Sequence, residues 1–293
     1  MNAPERRRVL AMLKATAKDF SEDKCTLRAA ALSYSTVFAL PPLLILLIKL
    51  AGLVWNPQSV QHAIETEFAG LIGTGAANTV SEMVKSGNTA AHSTLTTVLG
   101  FGGLILGATG AFLSLQSALN AVWEIEPDPK QGGIKRLIAS RLWSFGIVLS
   151  LAFLLIVSLA VAAAISALSR AIGGAGIVIQ IVNTVLSLLT LSVLFAAMYK
   201  FLPDAIIEWR SVWVGAIATT LLLGAGKFVI GLYLGHSNPG NPFGAASALA
   251  VILVWIYYAG ALVLAGAEFT QQYAAARGHG IQPKPGAIRI EHQ

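Results

Sequence analysis

The sequence predicts an all-α, polytopic membrane protein. It has six transmembrane helices, N- and C-termini on the cytoplasmic side, and an amphipathic N-terminal interfacial helix ahead of the first span. Three observations predict this. First, only 12% of the 293 residues are charged, 55% are hydrophobic and the mean hydropathy is +0.70, whereas a soluble domain carries about 25% charged residues. Second, Gly244 to Ala267 is free of acids and bases over 24 positions, and a bilayer core needs only about 20 apolar residues as helix. A similar run, Val212 to Gly235, is broken only by Lys227 and joins the first through a short turn-rich linker at 235–242. Third, sixteen of the 20 Lys and Arg residues fall in 2–28, 120–141, 200–210 and the stretch from Arg277, while the intervening loops hold only Lys85 and Arg170. The positive-inside rule then places both ends in the cytoplasm. That location also accounts for the net charge of +6 without a nucleic-acid partner.

Residues 1–28 form a basic segment in which Val9, Leu10, Leu13, Ala17 and Phe20 recur at helical spacing among Arg6, Arg7, Arg8, Lys14 and Lys18. This suits a helix lying in the headgroup plane against anionic lipid; an ordinary solvated basic helix is the competing reading. No apolar signal-peptide core follows before Ala29, so the first span is expected to remain in the protein as its own insertion signal. The transmembrane domain is expected over 29–277, with spans at about 29–55, 95–119, 142–168, 177–201, 212–235 and 244–272. In span one, Pro41 and Pro42 remove two backbone donors and are expected to interrupt and kink the helix. Asn56-Pro57 forms a cap and first-turn pair for a short amphipathic helix in the following loop. Span two carries small-residue rows that include Gly103, Gly107 and Gly110, suited to close helix packing. Asn183, Thr184, Ser187 and Thr190 put a polar stripe on span four, which fits interhelical bonds better than a substrate path. Leu202-Pro203-Asp204 stops that helix, and 278–293 is expected to be a disordered tail. Trp55, Trp143, Trp209 and Trp213 fall at span ends as interface anchors.

With the spans laid out, the chain resembles the YihY/BrkB family of bacterial inner-membrane proteins over roughly residues 15–275. The residues that carry the likeness are Arg28-Ala-Ala-Ala-Leu-Ser-Tyr-Ser-Thr-Val-Phe-Ala-Leu-Pro-Pro, Leu119-Asn-Ala-Val-Trp-Glu-Ile, Tyr199-Lys-Phe-Leu-Pro-Asp, Gly226-Lys-Phe with Gly231-Leu-Tyr, and Gly266-Ala-Glu-Phe-Thr. Ser35 departs from the pattern, since many relatives carry a second aromatic after Tyr34. The resemblance implies a multi-pass inner-membrane protein linked to virulence and to transport or envelope lipid export. Some relatives carry a ribonuclease label. The five histidines are scattered over loops and tail without metal-ligand spacing, which gives that label no support.

Ionisable groups inside the bilayer cost about 2.5–3.5 kcal/mol each and demand a reason. Lys49 lies roughly 9 Å, and Lys227 roughly 12 Å, below the outer ends of their spans. At that shared level they either line a cavity for an anionic headgroup or solute, or snorkel outward along their aliphatic stems. Tyr34, Pro41 and Pro42 mark a broken or hinged helix of the kind that transporters place around substrate, with a plain packing kink as the alternative. Tyr233 joins the same set of pathway candidates. Glu268 sits near the cytoplasmic edge at the depth of Arg28, and a structural clasp between the two competes with a proton-relay role. No acid pair, Ser–His or Cys–His set falls at membrane depth, so no catalytic residues, metal or cofactor are expected. The single Cys25 excludes an internal disulfide. Two functions follow from different classes: a transporter or exporter of an anionic lipid or solute, and a non-transporting scaffold for envelope-assembly partners or a homo-oligomer.

Overall fold

The computed structural model describes residues 3–52, 56, 58–62, 65–66, 77–78, 80–82, 109–129, 146, 177–236, 245–278 and 280–290. At Pro41, Pro42, Lys49, Lys227 and Tyr233, among others, it describes the backbone alone. The fold is mostly helical. Helix α1 spans Ala3–Glu22, α2 Cys25–Ala51, α3 residues 109–122, α4 Ile177–Phe201, α5 Trp209–His236 and α6 Ala245–Ala276. The span expected at 142–168, and Gly103 and Gly107, lie outside the described residues.

Among the described residues, Thr184–Phe201 in α4 and Leu249–Ala276 in α6 are long and apolar enough to cross a membrane. Large apolar side chains stand exposed on these helices and on α5, Val185, Leu189, Ile217, Leu221 and Val254 among them. An exposed aliphatic surface of this extent suits lipid as the surrounding solvent.

Three expectations require correction. Helix α2 runs without interruption through Pro41 and Pro42. Proline fixes φ near the helical value, so the pair removes bonds to the Val37 and Phe38 carbonyls without ending the helix. The tail is not disordered either, and the fold is not purely helical. Strand β1 (Ile125–Pro127) pairs antiparallel with β4 (Ala287–Arg289), and β2 (Ala205–Ile206) with β3 (Gln282–Pro283). A turn at Lys284-Pro285-Gly286-Ala287 reverses the chain between β3 and β4. Ala287 N donates to Lys284 O (2.9 Å), and Gly286 has φ 89°, a backbone state that glycine adopts without strain. The tail therefore fastens both linkers, the one after α3 and the one after α4. Its backbone groups find strand partners far away in sequence, which its local composition does not reveal.

The chain divides into two compact units. One comprises 1–23, 119–222 and 264–293, and the other 24–118 and 223–263. In the second unit, Gly260 lets α6 approach Leu32 and Ala29 of α2, and Gly226 lets α5 approach Tyr258 and Leu262 of α6. Ser35 Oγ reaches Ser114 Oγ at 3.4 Å, joining α2 to α3. Gln58 N donates to Asn56 Oδ1 (2.9 Å), the cap the sequence suggests. Gly110 is exposed with open space where a Cβ would stand, so the close packing expected of it is found instead at Gly226 and Gly260.

Candidate functional site

The densest polar cluster lies in the first unit, where α3, α4, α5 and α6 meet. Helices α5 and α6 carry matching Gly-x-x-x-Thr spacings, Gly215 with Thr219 and Gly266 with Thr270. Each threonine hydroxyl donates to the glycine carbonyl one turn earlier, Thr219 to Gly215 O (2.8 Å) and Thr270 to Gly266 O (2.7 Å). That back-bonding satisfies the hydroxyl within its own helix. A Cβ on Gly215 would overlap Thr270 Oγ1, and one on Gly266 would overlap Thr219 Oγ1. The two helices thus interlock reciprocally and antiparallel, with each threonine seated over the other helix's glycine.

Helix α4 adds the next layer. The Thr219 proton is committed to Gly215 O, so the Tyr199 hydroxyl donates to Thr219 Oγ1 (2.7 Å). Ser192 Oγ reaches Leu188 O (2.8 Å) and Thr220 Oγ1 (3.1 Å), and Thr220 donates to Ala216 O (2.9 Å). From α3, Trp123 lies edge-on to Tyr199, with ring centroids 6.0 Å apart, and its Nε1 donates to Ala267 O (3.1 Å). The Gln271 amide nitrogen donates to Val122 O (2.7 Å) and to Glu268 Oε2 (3.2 Å) in the orientation its neighbours require. Glu268 itself is 0% exposed. A carboxylate at that burial persists only where hydrogen bonds satisfy it.

Beneath this junction the linkers are fastened. Asn120 Nδ2 donates to Asp204 Oδ2 and Asp204 N donates to Asn120 Oδ1, both at 2.8 Å. Lys284 N donates to Asp204 O (2.9 Å), and Lys284 Nζ donates to Pro203 O (2.7 Å). Burial lowers the pKa of the Lys284 amine; Asp204 opposes that shift and Lys200 adds to it. Glu124 ends α3 with φ 55° and pairs with Arg289 at 3.2 Å, while its carbonyl accepts from Ile290 N (2.7 Å). Lys200 donates to Ile207 O and lies over the Trp209 ring.

Of the residues singled out from sequence, Glu268 falls at the centre of the junction. Arg28 is half-buried in the other unit. Tyr34 is 66% exposed on α2 and stacks edge-on against Phe38, 5.1 Å between centroids. The side chains of Lys49, Lys227, Tyr233, Pro41 and Pro42 lie outside the described residues, although their backbone positions fall inside α2 and α5. Sequence reasoning missed Trp123, Tyr199, Thr219 and Thr270 as joint occupants of one site. The paired Gly-x-x-x-Thr spacing was the available signal. Among the described residues, no group of three or more His, Cys, Asp or Glu is arranged to hold a metal ion. The junction's chemistry is adhesive: hydroxyls, an indole and an amide spent on carbonyls and one carboxylate across four helices.

Apolar helices with lipid-compatible surfaces, joined through buried small and hydroxyl residues, define a helical membrane protein. The chain belongs to the family described as Virulence factor BrkB, which matches residues 16–290. It is 29% identical to a UPF0761 membrane protein of Pseudomonas paraeruginosa, with 94% of this chain and 67% of the relative aligned. It is 26% identical to one of Alcanivorax borkumensis (89% of this chain, 60% of the relative) and 30% identical to one of Rhodospirillum centenum (83% and 52%). The chain thus spans about half to two thirds of the length of these curated relatives. No solved structure matches the chain.

Proposed function

We propose that the chain crosses the bacterial inner membrane six times, with both ends in the cytoplasm, and moves an anionic lipid or solute without enzymatic chemistry. The observation that carries this reading is the position of Lys49 and Lys227. Each sits within an unbroken apolar helix, α2 or α5, where a cation is retained at a cost of about 2.5–3.5 kcal/mol. A negatively charged cargo meeting both amines offsets that cost. Tyr34 and Tyr233 flank the route, and the Val37 and Phe38 carbonyls freed by Pro41 and Pro42 add polar contacts along it.

The test is flux of a fluorescent anionic phospholipid and of small organic anions in proteoliposomes. Lys49→Met combined with Lys227→Met is expected to reduce flux to the protein-free background while leaving the protein folded by thermal melting. Unchanged flux overturns the cargo assignment. The second reading, a scaffold, draws on the strand-fastened linkers, which offer a rigid surface to an envelope-assembly partner or a second copy. It prevails if pure protein moves nothing and a stoichiometric partner co-purifies from membranes.

A further inference from the structure

Helix α1 is divided into three sectors that no feature of the cargo route explains. At about 3.6 residues per turn, Met12, Ala15, Thr16, Asp19 and Phe20 share one side. These are the half-buried positions, and Asp19 accepts a hydrogen bond from Gln272 Nε2 of α6. Phe20, expected on the apolar outer face, thus turns toward the protein. Val9 continues the line of Thr16 and Phe20 two to three turns nearer the N-terminus, and Leu13 and Leu10 occupy the adjoining sector; the three are 42%, 50% and 58% exposed. Next round the helix come the exposed cations Arg7 and Lys14, with Lys18 paired to Glu22 at 3.3 Å, while the exposed Arg8 falls in line with Ala15 and Asp19, two to three turns nearer the N-terminus. The helix is therefore anchored on one side, oily on the second and cationic on the third.

Its location decides what covers the oily sector. Gln272 lies one turn before Ala276, the end of the apolar stretch Leu249–Ala276 of α6. The anchored side of α1 is therefore level with the end of a membrane span. We infer that α1 is a binding surface for anionic phospholipid, with Val9, Leu10 and Leu13 inserted among the upper acyl carbons and Arg7, Arg8 and Lys14 on the headgroups. Interfacial helices insert to about 5–10 Å, which suits short aliphatic side chains flanked by long cationic ones. Each cation contributes roughly fivefold to the preference for anionic over zwitterionic lipid. This surface is independent of the cargo contacts, so it stands or falls separately from flux.

The test uses the full-length chain in nanodiscs of phosphatidylcholine with or without phosphatidylglycerol. Single nitroxide labels are placed at Leu13→Cys or Ala11→Cys in a Cys25→Ala background, and power saturation is read with oxygen and an aqueous nickel chelate. With phosphatidylglycerol, the Leu13 label is expected to be oxygen-accessible and nickel-shielded and the Ala11 label nickel-accessible. The contrast is expected to shrink in pure phosphatidylcholine and to lose its lipid dependence in Arg7→Gln/Arg8→Gln/Lys14→Gln. A nickel-accessible Leu13 label in both discs overturns the inference, as does shielding indifferent to phosphatidylglycerol. Dipolar broadening between labels of two copies overturns it in favour of a self-association face.

Discussion

Gly266→Ala tests the interlock of α5 and α6 directly. The added methyl would overlap Thr219 Oγ1 and stand 3.0 Å from Thr219 Cβ and 2.7 Å from the Tyr199 hydroxyl. Neither neighbour can swing away freely, because Thr219 is held by Gly215 O and Tyr199 by Thr219. Overpacking of this kind costs about 1–3 kcal/mol, and loss of the Tyr199–Thr219 bond adds about 0.5–1.5 kcal/mol. Against this stands a helix-propensity gain of about 1 kcal/mol for Gly→Ala. The net expectation is a loss of about 0.5–3.5 kcal/mol. Gly110→Ala is the control, since nothing lies within 4 Å of its methyl; it should be neutral or stabilising by up to about 1 kcal/mol. Reversible unfolding in mixed micelles with increasing dodecyl sulfate measures both. Adding Thr219→Ala to Gly266→Ala should restore part of the loss by making room. Equal midpoints for Gly266→Ala and Gly110→Ala would refute the interlock.

Trp123→Phe retains the edge contact with Tyr199 but leaves Ala267 O without its indole donor; about 0.5–1.5 kcal/mol should be lost in the same assay, and no change would show the bond to be dispensable. Removing residues 281–293 frees both linkers, so tryptic cleavage after Lys200 and Arg210 should speed up at least several-fold, with unchanged rates counting against the fastening role of the tail. Lys284 has a depressed pKa, so the native state holds that proton less tightly than the unfolded chain does. The stability of the wild type relative to Lys284→Met should therefore rise as pH climbs through the native pKa and level off above 10.5, the amine's ordinary value; a difference flat with pH refutes the shift.

The helices were legible because lipid imposes a long, charge-poor signature that depends on no distant partner. The span expected at 177–201 coincides with α4, and that expected at 212–235 falls within α5. At the N-terminal side, α2 begins at Cys25, four residues before the first apolar run, because a helix does not stop where hydrophobicity does. The strands were not legible. Two or three residues cannot display an alternating pattern, and Gln-Pro-Lys-Pro-Gly reads as solvated coil until Ala205–Ile206 and Ile125–Pro127 are seen beside it. Glu268 stood out as a buried acid, and Gln271, one turn further along α6, donates to its carboxylate. The small-residue rule was sound in kind and misplaced at Gly110, since a glycine's exposure depends on which way its helix is turned.

The hairpin of β3 and β4 follows all of the described helices in chain order, so neither linker can be fastened while the helices are still being threaded into the bilayer. Until the tail has been made and released, Ile125–Pro127 and Ala205–Ile206 lack the strands with which they pair, and their backbone edges stay unpaired.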